Sequence, residues 1–229
     1  MKKTLVALAV AAALVPSLAM AEAGDIVVRL RATHIAPDES SKLGVQTDAT
    51  GLTSGTAAQL YGSSTAELRV DSNTIPELDL SYYITKNIAA ELILALGTRH
   101  DVTVTPGAAA AKNLGSVNLL PPTLTAQWHF NPDQTFDPYV GAGVSYVRAM
   151  DNGLQAEAGL PIRISRNSFG PAIQAGFDYN LENKWLINFD VKKIWFDTKV
   201  EILESGVWKH IDQLDVDPWV VSVGFGKKF

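Results

Sequence analysis

Residues 218–229 read Pro-Trp-Val-Val-Ser-Val-Gly-Phe-Gly-Lys-Lys-Phe. In an extended chain Trp219, Val221, Val223 and Phe225 share one face, and Val220, Ser222, Gly224 and Gly226 share the other. Side chains of a β-strand point alternately to its two sides, so the segment is a strand with one apolar and one polar or small face. The same design recurs upstream in segments beginning at Pro76, Pro122 and Pro171, each alternating until an aromatic close. The four prolines are spaced by 46, 49 and 47 residues, a near-constant period that marks a repeated structural unit.

Each of these segments except the last is followed by a second alternating run, starting at Ile88, Tyr139 and Trp185, and another run from Ile26 precedes them all. The count is four hairpins, hence eight strands. On the first, Ile26, Val28, Leu30 and Ala32 oppose Val27, Arg29, Arg31 and Thr33; on the second, Leu78, Leu80, Tyr82 and Ile84 oppose Glu77, Asp79, Ser81 and Tyr83. A soluble barrel turns its apolar face inward, whereas a membrane barrel turns it to lipid and fills its lumen with polar groups. Gly141, Gly143, Gly170, Gly176, Gly224 and Gly226 all fall on the charged face. Glycines beside opposite charges suit the inside of a narrow tube, which favours the membrane barrel.

The connections agree. Those near residues 85–87, 131–137 and 181–184 are short; those near 35–73, 105–117, 149–167 and 203–212 are long and rich in Gly, Ser, Thr and Asp. Counting from the short turns places Tyr82, Trp128, Phe130, Phe177, Tyr179, Trp185 and Phe225 near one membrane interface, and Tyr146, Trp195 and Trp219 near the other. The outward lysines Lys193 and Lys227 lie toward the band edges, where a cation costs only ~0–1 kcal/mol. The expected fold is therefore all-β: an eight-stranded antiparallel up-and-down transmembrane β-barrel over residues 22–229, with short periplasmic turns and long external loops.

The N-terminus fits that destination. Lys2 and Lys3 precede an apolar stretch from Leu5 to Leu18, and Ala19-Met20-Ala21 has the small-x-small pattern of a cleavage site, so residues 1–21 read as a signal peptide. Its loss takes the formal charge from −5 to −7. The chain has no cysteine, which excludes a disulfide scaffold or a thiolate metal site, and its acidity without Lys/Arg clusters argues against nucleic acid as a partner. Export and a barrel together point to the cell outer membrane.

The chain resembles the OmpW family of small outer-membrane barrels. The carriers are Arg31-Ala-Thr-His-Ile-Ala-Pro37, Leu120-Pro-Pro-Thr-Leu124 with Gln127-Trp-His-Phe130, Pro138-Tyr-Val-Gly-Ala-Gly143, and the terminal Phe229. The family includes alkane-uptake proteins, so the resemblance implies passage of small hydrophobic solutes. A terminal Phe on an amphipathic strand also looks like the signal read by the barrel-assembly machinery, although Lys227 stands where that signal usually has an apolar residue.

An eight-stranded barrel is just wide enough to be filled by its own side chains. Arg29, Arg31, Arg99 and Lys192 are expected to face Glu77, Asp79, Glu91, Asp178 and Asp190 across it, with Gln127 and His129 on the same lining. No wide aqueous pore follows, and function moves to the external end. There Leu52, Leu60, Tyr61, Leu154, Leu160 and Ile162 either pack together or line an apolar funnel. A solute in such a funnel meets the charged network below, and its cheapest exit is sideways into lipid. Pro76, Pro121 and Pro122 are candidates for that lateral gate, since proline removes a ladder donor; they equally suit a rim where pairing ends.

Other readings stay in view. No G-x-S-x-G is present and no two histidines stand at metal-ligand spacing, so no catalytic, cofactor or metal residue is assigned. A structural or receptor barrel without transport is the main alternative. Glu201, Glu204, Asp212, Asp215 and Asp217 form an acidic patch, read as a solvated loop or as a seat for a divalent ion bridging lipopolysaccharide. Outer-membrane lipid and lipopolysaccharide are the expected surroundings in either case.

Overall fold

A computed structural model of the chain describes residues 22–95, 98–105 and 112–229. The expected signal peptide, residues 1–21, lies outside the described residues. In chain order the elements are β1 (Ile26–Ala36), α1 (Leu43–Thr50), α2 (Ala57–Tyr61), β2 (Glu67–Val70), β3 (Asn73–Tyr83), β4 (Ile88–Ala95) and β5 (Thr98–Thr105). They continue with β6 (Lys112–Leu120), β7 (Thr123–His129), β8 (Phe136–Asn152), β9 (Leu154–Gln155), β10 (Pro161–Ile164) and β11 (Asn167–Asn180). The chain closes with β12 (Trp185–Ile194), β13 (Asp197–Glu204), β14 (Val207–Asp215) and β15 (Trp219–Lys228).

Eight of these strands form a closed antiparallel barrel in the order β1-β3-β4-β7-β8-β11-β12-β15, and β15 returns to β1 along a ladder from Val27↔Lys228 to Ala36↔Trp219. Closure is what a bilayer demands, because no water is present there to satisfy an open sheet edge. The connections 84–87, 130–135 and 181–184 are short and mark the periplasmic end.

The barrel is inside-out relative to a soluble protein. Arg29, Arg31, Asp79, Glu91, Asp178, Asp190 and Lys192 are buried, while Leu30, Leu124, Val144, Ile173, Val223 and Phe225 are exposed. Four strands carry outward aromatics ten residues apart: Phe136 and Tyr146, Phe169 and Tyr179, Trp185 and Trp195, Trp219 and Phe229. Ten residues at ~3.4 Å, tilted by roughly 40°, climb about 25 Å, the height of an outer-membrane apolar band. Glycines let the strands approach the lumen charges: a Cβ on Gly224 would lie 2.1 Å from the Leu30 carbonyl oxygen, and one on Gly226 would meet Arg29 Cγ at 2.7 Å.

Beyond the rim the strands do not end in open loops. β5 and β6 continue the wall outward, with β2 on the far side of β5 and β6 against the upper part of β8. A second sheet, β14-β13-β10-β9, stands beside them, and α1 and α2 lie over the top. The regions expected as long loops are thus mostly ordered secondary structure. One expectation fails here for a specific reason. Inward residues on β4 are odd-numbered up to Ala95, but on β5 they are Thr98, His100, Val102 and Val104. Between Ala95 and Thr98 the alternation slips by one residue, and such a slip exchanges the faces. Arg99 is therefore exposed on the outside and takes no part in the lumen network.

Candidate functional site

The lumen is filled by charge pairs in direct contact. Arg29 Nη1 donates to Asp79 (3.0 Å) and its Nη2 to Asp178 (2.5 Å). Arg31 reaches Glu77 (2.5 Å), Asp79 (2.9 Å) and Glu91 (3.5 Å), and Lys192 Nζ donates to Asp190 (2.9 Å). Five carboxylates face three cations, and neutral donors add further hydrogen bonds. Tyr139 donates to Asp190 (2.9 Å), Asn188 to Asp178 (2.8 Å), and Thr125 and Gln174 to Glu91 (2.7 and 2.8 Å). At the periplasmic end His129 Nδ1 lies 2.7 Å from Asp137 and 3.2 Å from the Tyr83 hydroxyl, with Gln127 at 3.3 Å from its Nε2. Buried charges are tolerated only when paired in this way. The plug of side chains leaves no wide aqueous path.

Immediately above it the lining changes character on every barrel strand. Going outward, the inward residue switches from Thr33 to Ile35, Glu77 to Ile75, Glu91 to Ile93, Thr123 to Pro121, Ser145 to Val147, Gln174 to Ala172, Lys192 to Ile194 and Ser222 to Val220. Eight switches at one height draw a sharp boundary between a charged lumen and an apolar chamber. The chamber is a cavity of about 60 Å³ walled by Ile35, Val70, Ile93, Leu119, Val147, Ile194, Phe196 and Val220, with Glu77 and Lys192 at its floor. Val70, Leu119, Val147, Phe196 and Val216 also line a second apolar cavity of about 40 Å³ further out, which Leu68, Val102, Leu154 and Val200 complete.

The expected funnel residues are distributed differently from an open mouth. Leu154 lines the outer cavity, whereas Leu60, Tyr61 and Ile162 are buried within the packing above and Leu52 and Leu160 lie against it. They form a cap, because two helices and a four-stranded sheet bring enough apolar surface to bury one another. Carboxylates staple this cap. Glu204 accepts from Lys209 Nζ (2.6 Å) and from the amide and hydroxyl of Ser54 (2.7 and 2.6 Å), which holds its carboxyl down to about 2. Asp212 accepts from Ser41 Oγ (2.5 Å) and the Lys42 amide (3.1 Å). Glu204 and Asp212 are buried, so the acidic residues are not one solvated loop, and no group of three or more His, Cys, Asp or Glu gathers at a metal-like site among the described residues. Burial, with Asp217, Asp197 and Asp212 nearby, raises the Asp215 carboxyl. Lys193 points outward at the rim but is mostly covered, by Asp38 (3.1 Å) and Trp219.

Among the described residues the wall is discontinuous at chamber height between β4 and β7. The β4–β7 ladder stops at Ile93↔Thr123 and pairing resumes between β5 and β6 at Thr98↔Leu119. Pro121 and Pro122 occupy the interval, and neither can donate to a neighbour. On their other side β8 stays in register, with Tyr146 N bonded to the Pro122 carbonyl (2.9 Å). Pro76, paired with Ala32, stands one residue beyond the last described β3–β4 pair, Glu77↔Ala95. Ile93, Ala95, Thr98, Leu119, Pro121 and Thr123 all line the chamber, so its side reaches this break.

Sequence reasoning missed the chamber wall, and the signal was present as the polar-to-apolar switch along each inward face. It also missed Tyr139, Asn188 and Asp137 within the lumen network.

Comparison with known proteins places these features in context. A match to the OmpW family spans residues 22–229. Outer membrane protein W of Escherichia coli (strain K12) is 36% identical over 232 residues, covering 100% of this chain and 99% of that protein. Outer membrane protein AlkL of Ectopseudomonas oleovorans is 27% identical over 69% of this chain and 67% of its own length. The crystal structure of outer membrane protein OprG from Pseudomonas aeruginosa superposes with a TM-score of 0.74 at 28% identity, covering 93% of this chain and 99% of that one.

Proposed function

The chain belongs to the OmpW family of outer-membrane barrels, and from that premise we propose that it takes up small hydrophobic molecules and releases them sideways into the membrane. The observation that carries this reading is the apolar chamber, floored by charge and open in its pairing beside Pro121 and Pro122. An apolar solute gains by leaving water for the chamber. It cannot descend, because crossing the lumen means separating buried ion pairs from their partners. The break in the ladder is where the wall parts at least cost, since among the described residues no ladder pair joins β4 to β7 beyond Ile93↔Thr123. At about 60 Å³ the resting chamber is smaller than a long-chain solute, so passage requires the cap and the Pro121–Pro122 segment to move. The protein acts by passage and not by chemistry in this reading; its relatives carry outer-membrane protein names and none is named as an enzyme.

The closed, stapled cap favours a second reading, a structural or receptor barrel that presents a fixed external surface. Uptake separates the two. Cells with the protein are expected to accumulate a labelled long-chain alkane faster than cells lacking it, and Val147→Phe, which fills the chamber, and Pro122→Ala, which restores a ladder donor, are each expected to slow that uptake. Equal uptake with and without the protein leaves the receptor reading; unchanged uptake in Pro122→Ala alone removes the gate.

A further inference from the structure

A groove of about 460 Å³ lies on the outer surface where β8 and β10 leave the rim, and its lining is mostly polar: Met150, Asp151, Arg163, Ser165, Arg166 and Glu201 contribute to it. Arg163 is already engaged, with Glu201 at 2.7 Å and its guanidinium 4.1 Å from the centre of the Trp208 ring. The two neighbouring arginines differ. Arg166 lines the groove from the bend that precedes β11, and Arg148 lies beside it on β8, the two linked through the Ala149 amide and the Arg166 carbonyl (2.9 Å); neither makes an ion pair or side-chain hydrogen bond among the described residues. Arg148 Nε is moreover out of contact with water and has no acceptor. A guanidinium donor left so is unfavourable unless a ligand oxygen completes it.

Height says which ligand. On β8 the outward residues run Phe136, Pro138, Val140, Ala142, Val144, Tyr146, Arg148, so Arg148 is the first outward side chain beyond the outer aromatic of its strand. Phe169, its ring tilted against that of Tyr146 with centroids 4.8 Å apart, marks the same level on β11, with Arg166 three residues further out. Directly below are the half-buried Tyr146 and the exposed Phe169 for acyl chains; directly above is the headgroup layer of the outer leaflet. Planar guanidinium forks match phosphate oxygens, and three arginines stand here against Asp151 and Glu201.

We propose that Arg148 and Arg166 form a binding site for a phosphate of lipid A, the phosphorylated glycolipid of the outer leaflet. The site is independent of solute passage and lies outside the barrel wall.

The test uses the full-length mature protein in phosphatidylcholine nanodiscs, with lipid binding read by native mass spectrometry. The probes are bisphosphorylated lipid A, the same lipid with both phosphates removed, and phosphatidylglycerol. Bisphosphorylated lipid A is expected to bind roughly tenfold or more tighter than its dephosphorylated form. Arg148→Gln with Arg166→Gln is expected to abolish that preference, Arg148→Lys with Arg166→Lys to keep part of it, and Arg99→Gln, an exposed arginine elsewhere on the extension, to keep all of it. Heat-sensitive gel migration verifies that each variant is a folded barrel. The proposal is overturned if dephosphorylated lipid A binds as well, if the glutamine pair retains the preference, or if phosphatidylglycerol matches lipid A.

Discussion

Val223→Arg puts the inside-out assignment to a quantitative test. Val223 is 54% exposed and lies one residue from the midpoint between Trp219 and Phe229, the two aromatics that bracket β15. One residue along a tilted strand is about 3 Å of height, so the new cation would sit near the bilayer midplane. Its cross-strand neighbours are Ala32 and Phe189, which offer no counter-charge. An arginine facing lipid at that depth costs about 2–4 kcal/mol, a roughly 30- to 700-fold fall in the folded-to-unfolded ratio. The assay is equilibrium urea unfolding of protein refolded into phospholipid vesicles, followed by tryptophan emission and by the heat-sensitive gel band. Lys227→Leu on the same strand is the companion. Lys227 stands three residues from the midpoint, toward the periplasmic edge, with its ammonium over the Trp185 and Phe229 rings, and its replacement is expected to change stability by no more than about 1 kcal/mol. If the exposed face met water instead, Val223→Arg would fall within about 0.5 kcal/mol of wild type, as surface changes do. A loss below 1 kcal/mol, or equal losses at both positions, refutes the lipid-facing assignment.

Other consequences are as direct. Arg31→Met strands Glu77, Asp79 and Glu91 in a buried lumen and is expected to cost about 3–5 kcal/mol in the same unfolding assay; a smaller loss than that of Arg69→Met, whose ion pair is at the surface, contradicts the network. Gly170→Ala places a methyl 1.7 Å from the Trp195 carbonyl oxygen, so the β11–β12 junction must part; a thermal midpoint equal to wild type counts against that packing. The Glu204 carboxyl is held below its unfolded value, so its contribution to the cap is complete at neutral pH and is lost as pH falls toward 2. Proteolysis of the 43–61 segment is therefore expected to accelerate on acidification below about pH 4 in the wild type and to lose most of that dependence in Glu204→Gln.

The barrel and most of its lumen were legible because a strand's two faces are written residue by residue. Arg29, Arg31, Glu77, Asp79, Glu91, Asp178, Asp190 and Lys192 could all be assigned inward from alternation alone, and all are buried. Arg99 was not, since its assignment extended one phase across a break that sits between Ala95 and Thr98 and reverses the faces beyond it. The cap stayed open between two readings for another reason: Leu60, Tyr61 and Ile162 carry no period that separates packing against each other, which the structure shows, from lining a cavity. The chamber could have been found, since the switch from Ser145 to Val147 or from Lys192 to Ile194 is plain along a single strand. Its meaning appears only when eight such switches fall at one height.

The sequence by itself determined which side chains meet lipid and which meet the lumen, because that alternation is a local property of an extended chain. Tertiary structure alone decided that Arg29 meets Asp178, that the eight polar-to-apolar boundaries align, and that pairing lapses beside Pro121. These depend on register between strands whose facing residues lie far apart in the chain, by 189 positions for Thr33 and Ser222, and register is set by barrel closure and strand tilt, which no local pattern contains.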